Sequence, residues 1–212
     1  MKSSVPADAV SSDASEMRTR ILGAAFQAFT ADGYAGTTTR AIAARAKVSK
    51  RDLYAHFETK QAMLLACIES HTAKMRTPEG LPEPLSREML ASTLTAFATT
   101  ILTESSHPAV VAMFRLAVSE AERSPEVAEA LQDRRKANRR TLTEFLARAQ
   151  SGGLLPPGDA DDMAGRCLAL VWGDLMLGLL LGVLKRSGQT QLQRNAARAV
   201  ASFLQQHPMP AK

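Results

Sequence analysis

Residues 37–60, TTTRAIAARAKVSKRDLYAHFETK, decide how the chain is organised, because they predict two short helices joined by a tight turn. In the second helix, Leu53 and Phe57 are four positions apart and would share one inward face. Ser49 precedes this helix as its N-cap, where a side-chain oxygen accepts a hydrogen bond from a free amide of the first turn. Asp52, three residues later, is a shortened form of the acid in a capping box. These two signals agree that the second helix begins directly after Ser49.

The outward face of this second helix would carry Lys50, Arg51 and Tyr54. Two cations and a phenol suit phosphate oxygens and the edges of bases. The chain has a net charge of +5, and its residues 16–60 hold eight lysines and arginines against four acids. Such a concentration of positive charge fits a nucleic-acid surface, although ordinary solvated faces often carry a similar excess.

The spacing of residues 37–60 resembles the helix-turn-helix signature of TetR/AcrR-type regulators. The matching residues are Thr37-Thr38, Ile42-Ala43, Ala46, Val48-Ser49, Leu53-Tyr54, His56-Phe57 and Lys60. Together with the many alanines and leucines, this resemblance implies an all-α fold of about nine helices. It also implies an N-terminal three-helix DNA-binding domain and a larger helical domain for ligand binding and dimerisation. One departure is Lys47, which stands in the turn where family members usually have glycine, and a left-handed conformation there would cost about 1 kcal/mol.

The residues expected at the DNA interface are polar or basic and lie on or beside the two short helices. They are Thr38, Arg40, Lys47, Ser49, Lys50, Arg51, Tyr54, His56 and Lys60. Thr38 and Arg40 are expected to contact phosphates at the start of the first short helix. The resemblance implies phosphate or base contacts for Tyr54 and His56, with packing as the alternative, and a contact of Lys60 with the DNA backbone. A dimer would place two reading helices about 34 Å apart on double-stranded DNA, so a palindromic operator is expected.

Proline and glycine breaks divide the remaining chain into further helices. The expected helical ranges are 15–32, 38–46, 49–57, 60–76, 85–104, 106–123, 124–150, 160–186 and 189–206. Gly33 is expected to end the first of them in a left-handed conformation. The expected organisation is a disordered tail (1–14), a DNA-binding domain (15–60), a ligand-binding and dimerisation domain (61–207) and a short tail (208–212).

Residues 167–184, CLALVWGDLMLGLLLGVL, are apolar almost throughout and are long enough to span a bilayer. Asp174 near the middle of the run and Trp172 in its interior argue against a membrane span. A helix that is apolar on all sides also suits burial against a partner subunit. By the resemblance, the predicted helices eight and nine pair with the same helices of a second copy, and the homodimer is cytoplasmic with no membrane contact.

The resemblance also implies that helices five to eight enclose a pocket for a small apolar or aromatic effector, whose binding releases DNA. The candidate lining residues are Phe97, Ile101, Met113, Phe114, Phe145, Cys167, Val171, Trp172 and Met176. Ordinary core packing explains each of them at least as well. Three polar groups, His71, Arg115 and Asp174, are candidates for orienting the effector.

Enzymatic chemistry is not expected. The chain has no phosphate-binding loop or nucleophile elbow, and Cys67 and Cys167 lack the spacing of a zinc site or a redox dithiol. These considerations predict buried, reduced thiols and no metal or cofactor. The basic run at 133–140, DRRKANRR, suits a solvated helix face better than a second nucleic-acid surface. The predicted function is a ligand-responsive repressor, with an effector-independent regulator and a membrane-associated helical protein as alternatives.

Overall fold

A computed structural model describes residues 7–74 and 80–210. These residues form ten α-helices and no strand, which confirms the all-α prediction. The helices are α1 (Ala7–Gly36), α2 (Thr39–Ala46), α3 (Lys50–His56), α4 (Lys60–Lys74), α5 (Arg87–Ser105), α6 (Pro108–Glu120), α7 (Pro125–Ser151), α8 (Ala160–Trp172), α9 (Leu175–Leu181) and α10 (Gln189–Gln206). The predicted bounds of α2, α3, α7 and α10 agree closely with these. Three parts of the predictions lie outside the described residues: positions 1–6 and 211–212 of the two tails, and the end of the predicted fourth helix, which falls within 75–79.

The first helix is longer at both ends than the sequence pattern predicts. It begins at Ala7, so residues 7–14 are helical and do not belong to the predicted tail. Three of these eight residues are alanines, which favour continuation of a helix. Gly33 has the expected positive φ (73°), but its ψ of 163° is extended, not left-handed helical, and the chain is helical again beyond it as far as Gly36.

The first compact unit comprises α1–α4 up to Thr72, together with Arg115–Leu131 from α6 and α7. Its core is built from apolar residues of α1 to α4. The fully or almost fully buried members are Ile21, Ala25, Phe29, Ile42, Leu53, Met63 and Leu64. This grouping places α4 with the short helices, whereas the sequence pattern suggested a boundary after residue 60.

The second compact unit comprises residues 73–114 and 132–212. Its core is one apolar cluster to which α5, α7, α8 and α10 all contribute, with the buried rings of Phe97, Phe145 and Phe203 among its members. Arg87, at the start of α5, donates hydrogen bonds to the carbonyl oxygens of Leu154 (2.6 Å), Leu204 (2.7 Å) and His207 (2.6 Å). The guanidinium therefore ties the start of α5 to the connection after α7 and to the end of α10.

The prediction of one helix over 160–186 is wrong, because the chain breaks at Gly173. The backbone there has φ 42° and ψ −140°, a conformation that a glycine adopts and a helix does not tolerate. The two resulting helices, α8 and α9, are bent by 50°. In the part of the chain that the structure describes, none of the helices by itself has the length and apolar composition of a membrane span, and only α8 and α9 taken together across their bend have both. After the break, Leu177 and Leu181 are 60% and 67% exposed, so the apolar run is not buried throughout within the chain.

Candidate nucleic-acid interface

A complete capping box begins α3. The Ser49 hydroxyl oxygen accepts a hydrogen bond from the Asp52 amide at 3.1 Å, and Asp52 Oδ2 accepts one from the Ser49 amide at 3.3 Å. The Ser49 hydroxyl also donates to Asp52 Oδ2 at 2.6 Å. These bonds, the hydroxyl first and the amide second, hold the pKa of Asp52 below its usual range. The predicted start of the helix is confirmed, and its first turn is fixed by local contacts alone.

Lys47 closes the turn between α2 and α3 in a left-handed conformation, with φ 55° and ψ 47°. It is the only residue other than glycine with positive φ in the described part of the chain. The turn is secured by backbone hydrogen bonds from Lys47 to Ala44 (3.2 Å) and from Val48 to Ala43 (3.1 Å). The side chain of Lys47 is exposed, so its charge remains available at the surface.

The two faces of α3 are those that the sequence predicts. Leu53 is fully buried and Phe57, just beyond the helix, is 5% exposed. Lys50 and Arg51 are exposed and Tyr54 is 41% exposed. The helix therefore presents two cations and one phenol to solvent while it is anchored from below.

Tyr54 is held in place by a neighbour that the sequence pattern did not indicate. Its hydroxyl lies 3.3 Å from the Thr39 hydroxyl at the start of α2. The Lys50 ammonium also lies 5.7 Å from the centre of the Tyr54 ring. Thr39 is fifteen positions away along the chain, so only the closed turn brings it to Tyr54. Thr39 thus joins the candidate interface.

The lysine at the start of α4 points into its own unit. Lys60 Nζ donates hydrogen bonds to the carbonyl oxygens of Tyr34 (2.8 Å) and Thr37 (3.0 Å), and it lies 4.2 Å from the centre of the Tyr34 ring. Thr37 is buried, and its hydroxyl donates to the Gly33 carbonyl at 2.7 Å. Lys60 therefore fastens α4 to the connection between α1 and α2, a role that its position in the sequence did not reveal.

The other predicted contact residues surround this framework. The Thr38 hydroxyl accepts a hydrogen bond from the Ala41 amide at 3.1 Å and thus caps α2. Arg40 is exposed on the first turn of α2, and His56 is half-buried at the last position of α3. The structure brings all the predicted contact residues into the first unit, with Lys60 alone committed to internal carbonyls.

The predicted effector-lining residues all lie in the second unit, and most of them belong to its packed core. Phe97, Ile101, Phe145, Cys167 and Val171 are members of the apolar cluster. Of the four remaining predicted residues, Met113 is buried, and Phe114, Trp172 and Met176 are half-buried.

The three polar candidates for orienting an effector do not share a unit. His71 and Arg115 belong to the first unit, and Asp174 to the second. His71 stacks on Phe26 with 3.9 Å between ring centres, and its Nδ1 lies 2.8 Å from the Cys67 carbonyl oxygen. This histidine is thus part of the packing of α1 against α4.

Both cysteines are free and buried, as predicted. Burial raises the pKa of the Cys67 thiol and of the Cys167 thiol to about 12 in each case. The Cys67 thiol also donates a hydrogen bond to the Leu22 carbonyl oxygen at 3.4 Å. The raised pKa keeps both thiols protonated near neutral pH, the form that reacts slowly.

Two family models match this chain. Residues 21–67 match the model described as bacterial regulatory proteins of the tetR family, and residues 92–207 match the C-terminal domain of AefR-like transcriptional repressors.

Similar regulators match nearly the whole chain. The HTH-type transcriptional regulator UidR of Escherichia coli (strain K12) is 30% identical over 203 residues, which cover 91% of this chain and 92% of UidR. A TetR transcriptional regulator from Agrobacterium tumefaciens has a crystal structure that superposes with a TM-score of 0.79 at 26% identity, covering 91% of this chain and 94% of that one. The flavonoid-responsive regulator FrrA superposes with a TM-score of 0.75 at 27% identity, covering 93% of this chain and all (100%) of FrrA.

The capped α3, its exposed cations and the two matched family models lead to one assignment. The chain is a DNA-binding transcriptional regulator and not an enzyme. It belongs to the TetR family of bacterial transcriptional regulators.

Proposed function

We propose that the chain is a homodimeric repressor that binds a palindromic operator in double-stranded DNA and is released by a small organic effector. The observation that carries this proposal is the outward face of α3, where Lys50, Arg51 and Tyr54 are exposed on a helix fixed by its capping box. A capped helix presents these groups in one orientation, which direct readout of base edges requires.

The contacts to DNA divide into two classes. Lys50, Arg51 and Tyr54 project from α3 and are proposed to reach base edges and the adjacent phosphates. The remaining contacts are proposed to go to the phosphate backbone and to position the reading helix: Thr38, Thr39, Arg40, Lys47, Ser49 and His56. Lys60 keeps a third N–H that its two carbonyl partners do not use, so a phosphate contact would be secondary to its internal role.

One feature of the described residues supports a homodimer. The exposed leucines of α9, Leu177 and Leu181, form an apolar surface that a second copy would cover. Two-fold symmetry would pair the same patch on both subunits and set the two α3 helices about 34 Å apart, which matches successive major grooves. A repressor of this kind acts on the chromosome, so we place it in the cytoplasm.

Effector control is supported by the name of one relative, the flavonoid-responsive regulator FrrA. Such control requires an effector with higher affinity for the arrangement that does not bind DNA. An effector-independent regulator is the second candidate, because the predicted lining residues Phe97, Ile101 and Phe145 are packed into the core.

Selection from random duplexes, followed by fluorescence anisotropy, tests the proposal. We expect a palindromic consensus, a stoichiometry of two chains per duplex, and loss of affinity when Lys50 or Tyr54 is replaced by alanine. Arg140, which is exposed on α7, provides the matched control as Arg140→Ala. A consensus without two-fold symmetry would contradict the dimer. Unchanged operator affinity across a broad library of aromatic compounds would favour the effector-independent regulator.

A further inference from the structure

A second site lies in the second unit, between α7 and α8. A pocket of about 320 Å³ separates the two helices, which is at the lower end of the range for small-molecule sites. Its walls include Arg135, Asn138 and Arg139 from α7, with Leu168 and Trp172 from α8. The basic run that the sequence pattern assigns to a solvated face thus supplies one wall of a pocket.

Asn138 lines this pocket and holds an unsatisfied polar atom below its surface. Asn138 is only 9% exposed, and its side-chain oxygen is buried with no hydrogen-bond partner among the described residues. A buried amide oxygen is an acceptor, so it favours a ligand that offers a hydroxyl or an N–H. An unpaired acceptor in a pocket wall points to a ligand of defined polarity.

One wall of the pocket is held rigid. The Arg139 guanidinium donates to both carboxylate oxygens of Asp161, at 2.8 and 2.7 Å. It lies flat against Gly165, where an added Cβ would be 3.0 Å from its nearest nitrogen. A planar guanidinium held in this way forms a surface on which an aromatic ring stacks.

The charge of the pocket is positive. Arg139 is neutralised by Asp161, and Lys136, which also lines the pocket, pairs with Asp133 at 3.2 Å. Arg135 is exposed, and within the described residues it forms no ion pair. Its guanidinium can therefore donate two parallel hydrogen bonds to the carboxylate of a ligand.

We propose that this pocket binds a small hydroxylated aromatic carboxylate. Arg135 pairs with the carboxylate, and the ring lies between Trp172 and the Arg139 guanidinium. The Asn138 oxygen, which is buried in the unliganded chain, accepts the ligand's hydroxyl once the side-chain amide turns toward the pocket. As a site for the effector, the pocket rests on the proposed ligand control of DNA binding. The proposal that the pocket binds a ligand depends only on the residues of α7 and α8 and not on ligand control of DNA binding.

Trp172 makes the pocket directly observable, because it is the only tryptophan of the chain. Titration of the full-length protein with 4-hydroxybenzoate, followed by tryptophan fluorescence and by calorimetry without DNA, should show saturable binding of one molecule per chain. The neutral 4-hydroxybenzamide and benzoate, which lacks the hydroxyl, should each bind about tenfold more weakly. Inorganic phosphate should not bind, since it has charge but no ring. No saturable binding of 4-hydroxybenzoate, or equal binding of the amide, would overturn the proposal.

Two arginine variants separate this pocket from its neighbour. Trp172 also borders a second pocket, which is lined by Asp174, Asn195 and Arg198 at the break between α8 and α9. Arg135→Gln should weaken binding about tenfold, whereas Arg198→Gln should leave it unchanged. If Arg198→Gln weakens binding as much as Arg135→Gln, the ligand occupies the other pocket and the proposal is wrong.

Operator release is measured separately, so that the two proposals can fail independently. Saturable binding that also lowers operator affinity supports both the pocket and the control of DNA binding. Saturable binding that leaves operator affinity unchanged supports the pocket and removes this ligand as an effector.

Discussion

Replacement of Lys60 by methionine distinguishes a structural lysine from a DNA-binding one. Methionine keeps most of the apolar stem and removes the ammonium that binds the carbonyl oxygens of Tyr34 and Thr37. Hydrogen bonds to a charged group contribute about 1.5–3 kcal/mol each. The ammonium over the Tyr34 ring adds about 0.5–1 kcal/mol. Desolvation of the half-buried ammonium offsets part of this sum, so we expect the variant to lose about 2–3 kcal/mol of unfolding free energy.

Urea unfolding followed by circular dichroism measures this loss, and operator binding at several salt concentrations measures the other role. If Lys60 is mainly a structural tie, the salt dependence of operator binding should be unchanged. Lys50→Met is the matched control, because Lys50 is exposed on α3. It should keep the stability within about 0.5 kcal/mol and reduce the salt slope by about 1. The reasoning is refuted if Lys60→Met behaves like Lys50→Met, with full stability and a lower slope.

Three further predictions concern α3, its capping box and the thiols. Lys50→Ala should weaken operator binding far more than Lys136→Ala, as measured by anisotropy, and equal losses would make α7 part of the DNA surface. Because the pKa of Asp52 is lower in the folded state, its carboxylate stabilises the fold above about pH 4 and this contribution is lost as the pH falls further. Unfolding curves for wild type and Asp52→Asn should therefore differ at pH 7 and converge in acid, and a constant difference would argue against the ionised capping box. Cys67 and Cys167 should resist a thiol reagent at pH 8 in the folded protein and react fully in urea, whereas rapid labelling of the native protein would contradict their burial.

The short helices could be predicted in detail because their signals are local. Ser49 and Asp52 lie within one turn of each other, and Leu53 with Phe57 defines the buried face at helical spacing. Each of these contacts is decided by residues at most a few positions apart. The start of α3 and the identity of its buried face can therefore be predicted without knowledge of the rest of the fold.

The break at Gly173 could not be predicted from the same kind of pattern. A glycine in an apolar helix can serve close packing, and three glycines at 173, 178 and 182 were all open to that interpretation. Only the backbone conformation shows that Gly173 ends α8, whereas Gly178 remains within α9. Hydrophobic periodicity indicates which face of a helix is apolar, but it does not indicate at which residue a helix ends or bends.

Long-range contacts were equally inaccessible. The bonds from Lys60 join residues 26 and 23 positions apart, and the Thr39 contact to Tyr54 spans 15. The polarity of the pocket beside Asn138 depends on α7 and α8 packing together. The residue types at these positions fit many roles, and the fold selects one.

The left-handed lysine in the turn restricts what can replace it. A side chain branched at Cβ clashes with the backbone at φ 55°, whereas glycine and asparagine adopt that conformation readily. A library of all amino acids at position 47, selected only for folding, should therefore retain glycine and asparagine and lose valine and isoleucine. Selection for DNA binding should then enrich lysine and arginine among the variants that fold. Position 47 must therefore satisfy two requirements, a left-handed backbone for folding and a positive charge for DNA binding.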